Sequence, residues 1–396
     1  MFRTWFAILA ILVAVPLARG ETLTAGASLQ LTGPLAGIGR YYRDGYQLAV
    51  DRINAQGGVK MGGKTYQFEL KVLDNQSDVS LSVRQYVQLI TQDKVDVLLG
   101  PYASDYVLAD SLVAEKYEMP MIQGGGASDQ IFSRGYKYTF GVLPVASRYF
   151  SSTVTMMTKV NPAPKTVALL FADDAFDTAV ANGTRKLIAE SGIKLVIDER
   201  YSNNATDFSS LLARIKVTQP DAVLVAGHET EVLNFIRQSK SLGANVKMYA
   251  FTVGVQSDDF RRALGADADY AFGMTSWLPI ASAKDPYFGD AEKFAETYKT
   301  KFGYEADYHG AASAVVLEAY AHALQAAGSA EPKALREAIA KLDLQTQYGR
   351  VRFSQVGQID LPQTVVQVQK GKLVAVFGDT GFITQPLYPM PDWKQR

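Results

Sequence analysis

The sequence predicts an α/β protein made of two Rossmann-like lobes with parallel-core sheets. Apolar runs of strand length alternate with amphipathic segments of helix length, which is the pattern of parallel strands covered by helices on both faces. The alternation occurs in two successive units. A length of 396 residues is typical of two or three domains, and 47% hydrophobic residues provide enough apolar side chains for two cores.

The first unit extends to about residue 144. Its first strand is predicted over 22–30, and the apolar spacing from Tyr41 to Ile53 then predicts a helix that Gly57 and Gly58 end. The further elements of this unit are strand 66–74, a helix over about 80–91, strand 95–100, a helix ending near Glu118, strand 120–123 and strand 138–144.

The second unit repeats the pattern and is followed by a helical region. Its elements are strand 165–173, helix 179–192, strand 194–201, helix 206–219, strand 221–227, helix 230–243 and strand 246–251. After Thr275 we expect helices over 286–302, 310–327 and 332–342, a strand over 351–359 and a strand–turn–strand over 364–378. The proline-rich residues 381–396 are predicted to form an irregular C-terminal tail.

Residues 1–20 have the layout of a secretory signal peptide. Arg3 is followed by a ten-residue apolar segment over 6–15, and Ala18 and Gly20 are small residues at −3 and −1 before Glu21. The apolar segment is too short to span a bilayer comfortably, although an uncleaved anchor is the alternative. Because the chain contains no cysteine, there is no lipidation site after the signal. We therefore expect export to the periplasm without a membrane anchor.

Composition and motifs argue against several function classes. With 40 Lys+Arg against 40 Asp+Glu the formal net charge is zero, which disfavours nucleic-acid binding. The lack of cysteine removes disulfides, thiol nucleophiles and cysteine-ligated metals. A literal Walker A match over 58–65 follows a helix and precedes a strand, the reverse of the order that phosphate binding requires. We expect no enzyme, no cofactor and no metal site.

Two strand-end loops carry glycine and serine where parallel sheets bind ligands. One loop, over 100–110, contains Ser104, and the other, over 123–130, has three glycines followed by Ser128. Glycine lets the backbone approach a ligand closely, and free amides at a helix start can hold a carboxylate. The pair indicates an anion-binding shelf in the first lobe, with two plain tight turns as the alternative.

Three segments resemble the periplasmic solute-binding proteins of the leucine/isoleucine/valine-binding type, which serve ABC uptake transporters. These segments are LTGPLAGIGRYYRDGYQLAVDRINAQGGV, LLGPYASDYVLA and PMIQGGGASDQIFSRGYKYTFGVLP, and the resemblance covers essentially the whole mature chain. It implies the type I periplasmic binding fold, with two lobes, a three-crossover hinge and a cleft that closes on ligand. The implied division is 21–143 plus 277–347 for lobe one, 144–276 plus 348–380 for lobe two and 381–396 for the tail.

The resemblance also implies a ligand site. Ser104 matches the serine that holds the ligand carboxylate, and Gly125, Gly126 and Ala127 match the loop that completes this clamp. Ala127 lacks the usual hydroxyl, which Ser128 could replace. The other implied site residues are Ile38 in the first loop, with Tyr41 or Tyr42 as the alternative, the lobe-two positions Phe176 and His228, and Thr252. Tyr102 and Trp277 are further candidates because their rings suit an apolar or aromatic ligand body.

Thr252 lies near the position of the acidic residue that pairs with the α-ammonium in amino-acid binders. A buried ammonium without a carboxylate partner costs several kcal/mol. Either Glu229 or Asp174 supplies the charge, or the ligand is not an α-amino acid. A carboxylate with an apolar or aromatic body suits the aromatic residues of the site.

The implied function is the solute-binding component of an ABC uptake transporter. We expect a monomer that binds a small carboxylate, such as a branched-chain or hydrophobic amino acid or a related aromatic or aliphatic acid, and presents it to the membrane permease subunits. A ligand-sensing protein of the same fold, acting on a receptor or regulator, is the alternative. An exported hydrolase fits poorly, because no nucleophile–base pair is visible.

Overall fold

The structure is a computed structural model that describes residues 21–280 and 284–396. The predicted signal peptide, residues 1–20, lies outside the described residues. In the part that is described, no helix is both long and apolar enough to cross a membrane.

The first sheet is built from the N-terminal unit and has a parallel core. In spatial order its strands are β2 (Val59–Met61), β3 (Lys64–Asp74), β1 (Glu21–Leu29), β4 (Val97–Leu99), β5 (Met121–Gln123) and β6 (Thr139–Gly141). From β3 to β6 every neighbouring pair is parallel, and β2 is an antiparallel edge strand. The carboxyl ends of the parallel strands therefore meet at one edge, where ligands of such sheets bind.

The helices around the first sheet come from two distant parts of the chain. They are α1 (Ala36–Ala55), α2 (Val79–Thr91), α3 (Ser104–Lys116), α4 (Asp129–Ser133), α10 (Ala291–Phe302), α11 (Tyr308–Ala327) and α12 (Pro332–Ile339). Helix α11 packs along α1 and is buried over most of its length, which its alanine-rich sequence permits. Asp307 caps α11 by accepting hydrogen bonds from the backbone amides of His309 and Gly310.

The second sheet is mixed. In spatial order it contains β16 (Gly381–Phe382), β15 (Lys372–Gly378), β14 (Thr364–Gln369), β11 (Phe272–Thr275), β10 (Met248–Phe251), β9 (Ala222–Ala226), β7 (Thr166–Ala172) and β8 (Lys194–Tyr201). It is parallel from β8 to β11 and antiparallel from β11 to β16. Its helices are α5 (Ser151–Met157), α6 (Ala175–Ser191), α7 (Ser209–Thr218), α8 (Glu229–Leu242) and α9 (Asp258–Leu264).

The chain crosses between the two sheets three times: after β6, after β11, and in the region of the hairpin β12 (Asp343–Thr346) and β13 (Gly349–Arg352). The crossovers are joined to one another. The Gln358 side chain donates to the Leu143 carbonyl at 3.0 Å, and the hydroxyls of Ser276 and Tyr348 are 2.8 Å apart. Two Rossmann-like lobes linked by three crossovers are the fold class predicted from the sequence.

Several local predictions differ from the structure. Helix α6 begins at Ala175 rather than at 179, and helix α10 begins at Ala291 rather than at 286. Helix α1 begins at Ala36 rather than near Tyr41. The strand predicted over 351–359 ends at Arg352, and beyond it only Gln358 makes an isolated bridge, to Gly141. The segment 381–396 is not wholly irregular, because it begins with strand β16. Near its end Trp393 is buried, which removes a large apolar surface from water. The indole nitrogen of Trp393 donates to the Ala244 carbonyl at 2.9 Å.

Candidate functional site

A small cavity lies between the two lobes where the carboxyl ends of strands from both sheets meet. Ser104 follows β4, Gly125 follows β5, Phe176 follows β7 and His228 follows β9. The cavity volume is about 10 Å³, room for about one water molecule. Larger clefts open on the surface, and a neighbouring cavity of about 30 Å³ shares Tyr102 and His228 with this one. Its lining residues are Tyr102, Ala103, Ser104, Gly125, Ala127, Leu143, Tyr149, Phe176, His228, Val253, Tyr308 and His309.

Ser104 organises the first-lobe wall. Its hydroxyl oxygen accepts hydrogen bonds from the amides of Ala127 and Ser128, at 3.1 and 3.0 Å. The amides of Gly125 and Gly126 donate instead to the Gln123 side-chain oxygen, at 2.8 and 2.6 Å. The backbone amides of this loop are therefore satisfied within the protein, and the Ser104 hydroxyl keeps its own proton as a donor toward the cavity.

His228 joins the lobes across the cavity. Its Nδ1 is 2.7 Å from the hydroxyl of Tyr102, which belongs to the first lobe, and its Nε2 is 3.1 Å from Asp174 Oδ2. Burial alone would lower the pKa of His228, but the hydrogen bond and charge of Asp174 outweigh it and raise this pKa to about 8. The imidazolium form is thus favoured at neutral pH, with Tyr102 accepting from Nδ1.

His309 forms the opposite, first-lobe side of the cavity. Its Nδ1 is 2.9 Å from Asp307 Oδ2, while its Nε2 has no hydrogen-bond partner among the described residues. The Tyr102 ring stands edge-on to both histidines, with centroids 5.6 Å from His228 and 5.4 Å from His309. Sequence reasoning did not select His309; the available signal was Asp307, an N-cap residue two positions before a histidine in a first helical turn.

Buried carboxylates lie behind His228. Asp177 is fully buried with neither oxygen hydrogen-bonded to a described residue, and burial together with the charge of Asp174 raises its pKa well above the usual range. Asp174, Asp177 and His228 place ligand atoms within 4.8 Å of one another and are the residues that could hold a metal. In this arrangement Asp174 is already engaged, because it caps α6 through the Asp177 amide at 2.8 Å and faces His228.

Glu229 and Ile38 both line a second cavity, of about 30 Å³, next to the first. Its carboxylate accepts a short hydrogen bond from Ser257, and burial raises its pKa to about 7 despite that bond. Glu229 and Asp174 were the two candidates for an ammonium partner. Both are bound to protein groups, and neither lines the interlobe cavity.

The predicted site residues fall into two groups. Six line the interlobe cavity: Tyr102, Ser104, Gly125, Ala127, Phe176 and His228. The others lie elsewhere: Ile38 in the neighbouring cavity, Tyr41 against Tyr298 and Tyr304, Gly126 against Val107 and Ile131, Ser128 behind Ser104, Thr252 bonded to the Gly227 backbone, and Trp277 bonded to Gln347 in the crossovers.

Further contacts hold the lobes together around the cavity. Arg40 binds Asp259 across the boundary at 2.6 Å, and Arg261 binds Glu305 at 2.7 Å. The Asp105 carboxylate at the start of α3 accepts a hydrogen bond at 3.1 Å from the first amide of α6. The structure is therefore the closed arrangement of the two lobes.

Comparison with known proteins agrees with this architecture. A family model described as periplasmic binding protein matches residues 22–372, and the chain belongs to that family. It is 27% identical to the Leu/Ile/Val-binding protein homolog 7 of Brucella melitensis, over 96% of this chain and 99% of that protein. The resemblance and the fold class expected from the sequence are thereby confirmed.

Two solved structures illustrate the likeness. The branched-chain amino acid transporter substrate-binding protein LivJ from Streptococcus pneumoniae, in complex with isoleucine, is 25% identical with a TM-score of 0.78, covering 89% of this chain and 98% of that one. An ABC transporter solute-binding protein from R. palustris, in complex with benzoate, is 19% identical with a TM-score of 0.80, covering 92% and 98%. At 19% identity, the likeness to the R. palustris protein concerns the fold alone. These relatives are solute-binding proteins.

Proposed function

We propose that this protein is the solute-binding component of an ABC uptake transporter and captures a small carboxylate between its lobes. It acts in the periplasm as a monomer after removal of residues 1–20, without a lipid anchor, and delivers the ligand to permease subunits. It has no catalytic activity, cofactor or metal and binds no nucleic acid. We assign 21–143 plus 277–347 to lobe one, 144–276 plus 348–380 to lobe two and 381–396 to the tail.

The observation that carries this proposal is the lining of the interlobe cavity. Among the described residues around it, the ionisable groups besides tyrosines are the imidazoles of His228 and His309, and no carboxylate side chain is present. Ser104 contributes a hydroxyl donor, and aromatic rings supply the remaining walls. Such a lining accommodates an anionic head group on an apolar body.

The closed cavity is too small for such a ligand. Binding therefore requires the lobes to separate about the crossovers, admit the solute and close with it in place, as in other hinge-closing proteins. A ligand held between these two residues would also replace the direct contact of 2.7 Å between the Tyr102 hydroxyl and His228 Nδ1. The free energy of closure then depends on how well the ligand substitutes for that contact.

The ligand class is a branched-chain or hydrophobic amino acid or a related aromatic or aliphatic acid, and the lining favours acids without an α-ammonium. Thr252 has its hydroxyl bonded to the Gly227 amide and carbonyl, at 3.1 and 3.2 Å. The ammonium of an amino acid would find no carboxylate on the lining of this cavity, and Glu229 and Glu231 line the adjacent cavity that shares Tyr102 and His228. Relatives of this fold hold isoleucine in one case and benzoate in another, so both classes belong in the test.

A thermal-shift panel tests the proposal. Benzoate, 3,4-dihydroxybenzoate, isoleucine and leucine are compared with neutral benzamide, and a bound ligand at 100 times its Kd adds about 2.7 kcal/mol to the unfolding free energy. We expect carboxylates to stabilise and benzamide not to do so. Stabilisation by benzamide alone, or by no carboxylate, would contradict the proposal.

Ser104→Ala locates the binding site. Loss of a hydrogen bond to a charged group should weaken carboxylate binding by about 1–3 kcal/mol. Ser111→Ala is the matched control, since Ser111 is also a buried serine of α3 but its hydroxyl donates to the Leu108 carbonyl, away from the cavity. Equal affinities in the two variants would remove Ser104 from the site.

A further inference from the structure

His309 has an unused polar atom on the wall of the interlobe cavity. Its side chain is 2% exposed, its ring lines the cavity, and Nε2 has no hydrogen-bond partner among the described residues. The other imidazole of the cavity differs, because both ring nitrogens of His228 already face protein groups. His309 Nε2 is therefore left for a group that enters the cavity.

Asp307 makes this atom an acceptor. A carboxylate only accepts hydrogen bonds, so the contact of 2.9 Å between Asp307 Oδ2 and His309 Nδ1 places the ring proton on Nδ1. The other oxygen, Oδ1, accepts from the amides of His309 and Gly310, which holds the carboxylate in place. In the neutral imidazole Nε2 then carries a lone pair, directed away from Asp307.

Two tyrosines that face His309 do not supply the missing donor. The rings of Tyr42 and Tyr102 lie 5.9 and 5.4 Å from its ring, centroid to centroid. The Tyr42 hydroxyl donates to the Gly124 carbonyl, and the Tyr102 hydroxyl is 2.7 Å from His228 Nδ1. Both hydroxyls are thus engaged elsewhere, and Nε2 stays unpaired in the closed protein.

We propose that His309 Nε2 accepts a hydrogen bond from a neutral hydroxyl of the ligand, so that the captured solute is a hydroxylated carboxylic acid. This inference rests on the proposed function and narrows its ligand class. The ligand carboxylate does not fit at Nε2, because it too offers only acceptors. It is left to the other walls of the cavity, where the Ser104 hydroxyl and the His228 imidazole lie.

A hydroxyl suits this position better than an ammonium does. An ammonium has three N–H donors and a charge, and burying it requires several acceptors or a carboxylate. His309 Nε2 offers one lone pair, and the cavity lining contains no carboxylate side chain. A hydroxyl has one proton to donate, so a single acceptor satisfies it.

The position of His309 makes the hydroxyl a selectivity element. Asp307 and His309 both belong to the first lobe, at the start of α11, so the acceptor keeps its orientation when the lobes separate. When the lobes close on an acid without a hydroxyl, Nε2 is buried unpaired. A site with such an unpaired group rejects the ligand that lacks the donor.

Calorimetric titration of matched ligands tests the inference, at about pH 8, where free imidazole is neutral. One set is 4-methylpentanoate, 2-hydroxy-4-methylpentanoate and leucine, which differ in carrying hydrogen, hydroxyl or ammonium at the same carbon. The other pair is benzoate and 4-hydroxybenzoate, which places the hydroxyl far from the carboxylate. We expect at least one hydroxylated acid to bind at least about tenfold more tightly than its parent, which corresponds to about 1.4 kcal/mol.

His309→Phe locates the effect. Phenylalanine keeps an aromatic ring and removes the acceptor, so the affinity ratio of the hydroxylated acid to its parent should fall to about one. The ratio separates this role from a general loss of binding, which would weaken both acids alike. His322→Phe is the control and should keep the wild-type ratio, because His322 lies on the same helix but packs against Tyr287 outside the cavity.

A wild-type measurement avoids dependence on folding of the variant. The ¹⁵N resonance of His309 Nε2 should shift when the preferred hydroxylated acid binds and should shift less with its parent. Equal affinities of both hydroxylated acids and their parents, tighter binding of leucine than of 2-hydroxy-4-methylpentanoate, or an unchanged ratio in His309→Phe would overturn the inference while leaving carboxylate capture intact. If no carboxylate binds the wild type, the proposed function fails, and the inference fails with it.

Discussion

Replacing Asp174 with asparagine should lower the pKa of His228. The Asp174 carboxylate caps α6 with one oxygen and faces His228 Nε2 with the other. Asparagine is also a good N-cap, so Asp174→Asn keeps the helix start while removing the charge. Its amide nitrogen would face Nε2 as a donor and favour the neutral imidazole.

The expected size follows from the pKa. Burial lowers the pKa of His228 and Asp174 raises it, with the balance at about 8 against an ordinary value of 6.5. That difference corresponds to about 2 kcal/mol. Because the folded-state pKa is raised, this stability is fully present below pH 6.5 and is lost as pH rises through 8. In Asp174→Asn burial is opposed only by the charges of Glu231 and Asp105, so the pKa of His228 should fall and the loss of stability over that pH range should shrink.

Imidazole resonances provide the assay. The chain has only three histidines, His228, His309 and His322, so each titration curve can be assigned with single variants. Denaturant titrations of wild type and Asp174→Asn at pH 6 and pH 9 measure the corresponding change in unfolding free energy. A His228 that titrates near 6.5 in the wild type, or that keeps its pKa in Asp174→Asn, would refute the reasoning.

Two further predictions concern buried groups near the first-lobe loop. Burial, partly offset by the hydrogen bond from Ser257, raises the pKa of Glu229 to about 7. The unfolding free energy should therefore fall by about 3 kcal/mol as pH rises from 4.5 through 7. Denaturant titrations of Glu229→Gln should lack that fall, and an unchanged pH profile would contradict the prediction. Gly39→Ala would place a Cβ 1.8 Å from the Gln30 carbonyl oxygen and should lower the unfolding free energy, followed by thermal unfolding, by at least about 2 kcal/mol. Gly37→Ala is the control, because its Cβ would meet only the end of the Glu229 side chain, at 3.1 Å. A similar loss of stability in Gly37→Ala would show that the backbone contact is not the cause.

The fold was predictable because its signals are local. Apolar runs such as 221–227 are strand-like by composition, and β9 is buried along its whole length. The start of α1 was missed because Gly37 and Gly39 interrupt the helical pattern, and Gly39 is needed where the helix touches the backbone of Gln30. The segment 351–359 was over-assigned because its alternating pattern serves burial of Phe353 and Ile359 in the core rather than strand pairing.

The site was only partly predictable because it depends on which side chains converge from distant segments. Ser104 follows a strand, so the strand-end rule located it. Phe176 and His228 also follow strands, but they were assigned from the family resemblance. His309 lies on a helix far along the chain, and only the packing of α11 against α1 brings it to the cavity. Trp277 was predicted to belong to the site but does not line the cavity. Its indole donates to the Gln347 carbonyl at 3.0 Å and so connects two of the crossovers.

The ion pairs between the lobes make closure sensitive to the surrounding salt. The pairs Arg40–Asp259 and Arg261–Glu305 each include a side chain more than a third exposed, and exposed charge pairs weaken as the Debye length falls from about 30 Å at 0.01 M to about 10 Å at 0.1 M salt. Each such pair contributes at most about 1 kcal/mol. A dilute external medium thus favours the empty closed form and leaves fewer open molecules to receive solute, whereas a saltier medium frees the lobes. Opening of the cleft should therefore become easier as the ionic strength of the surrounding solution rises.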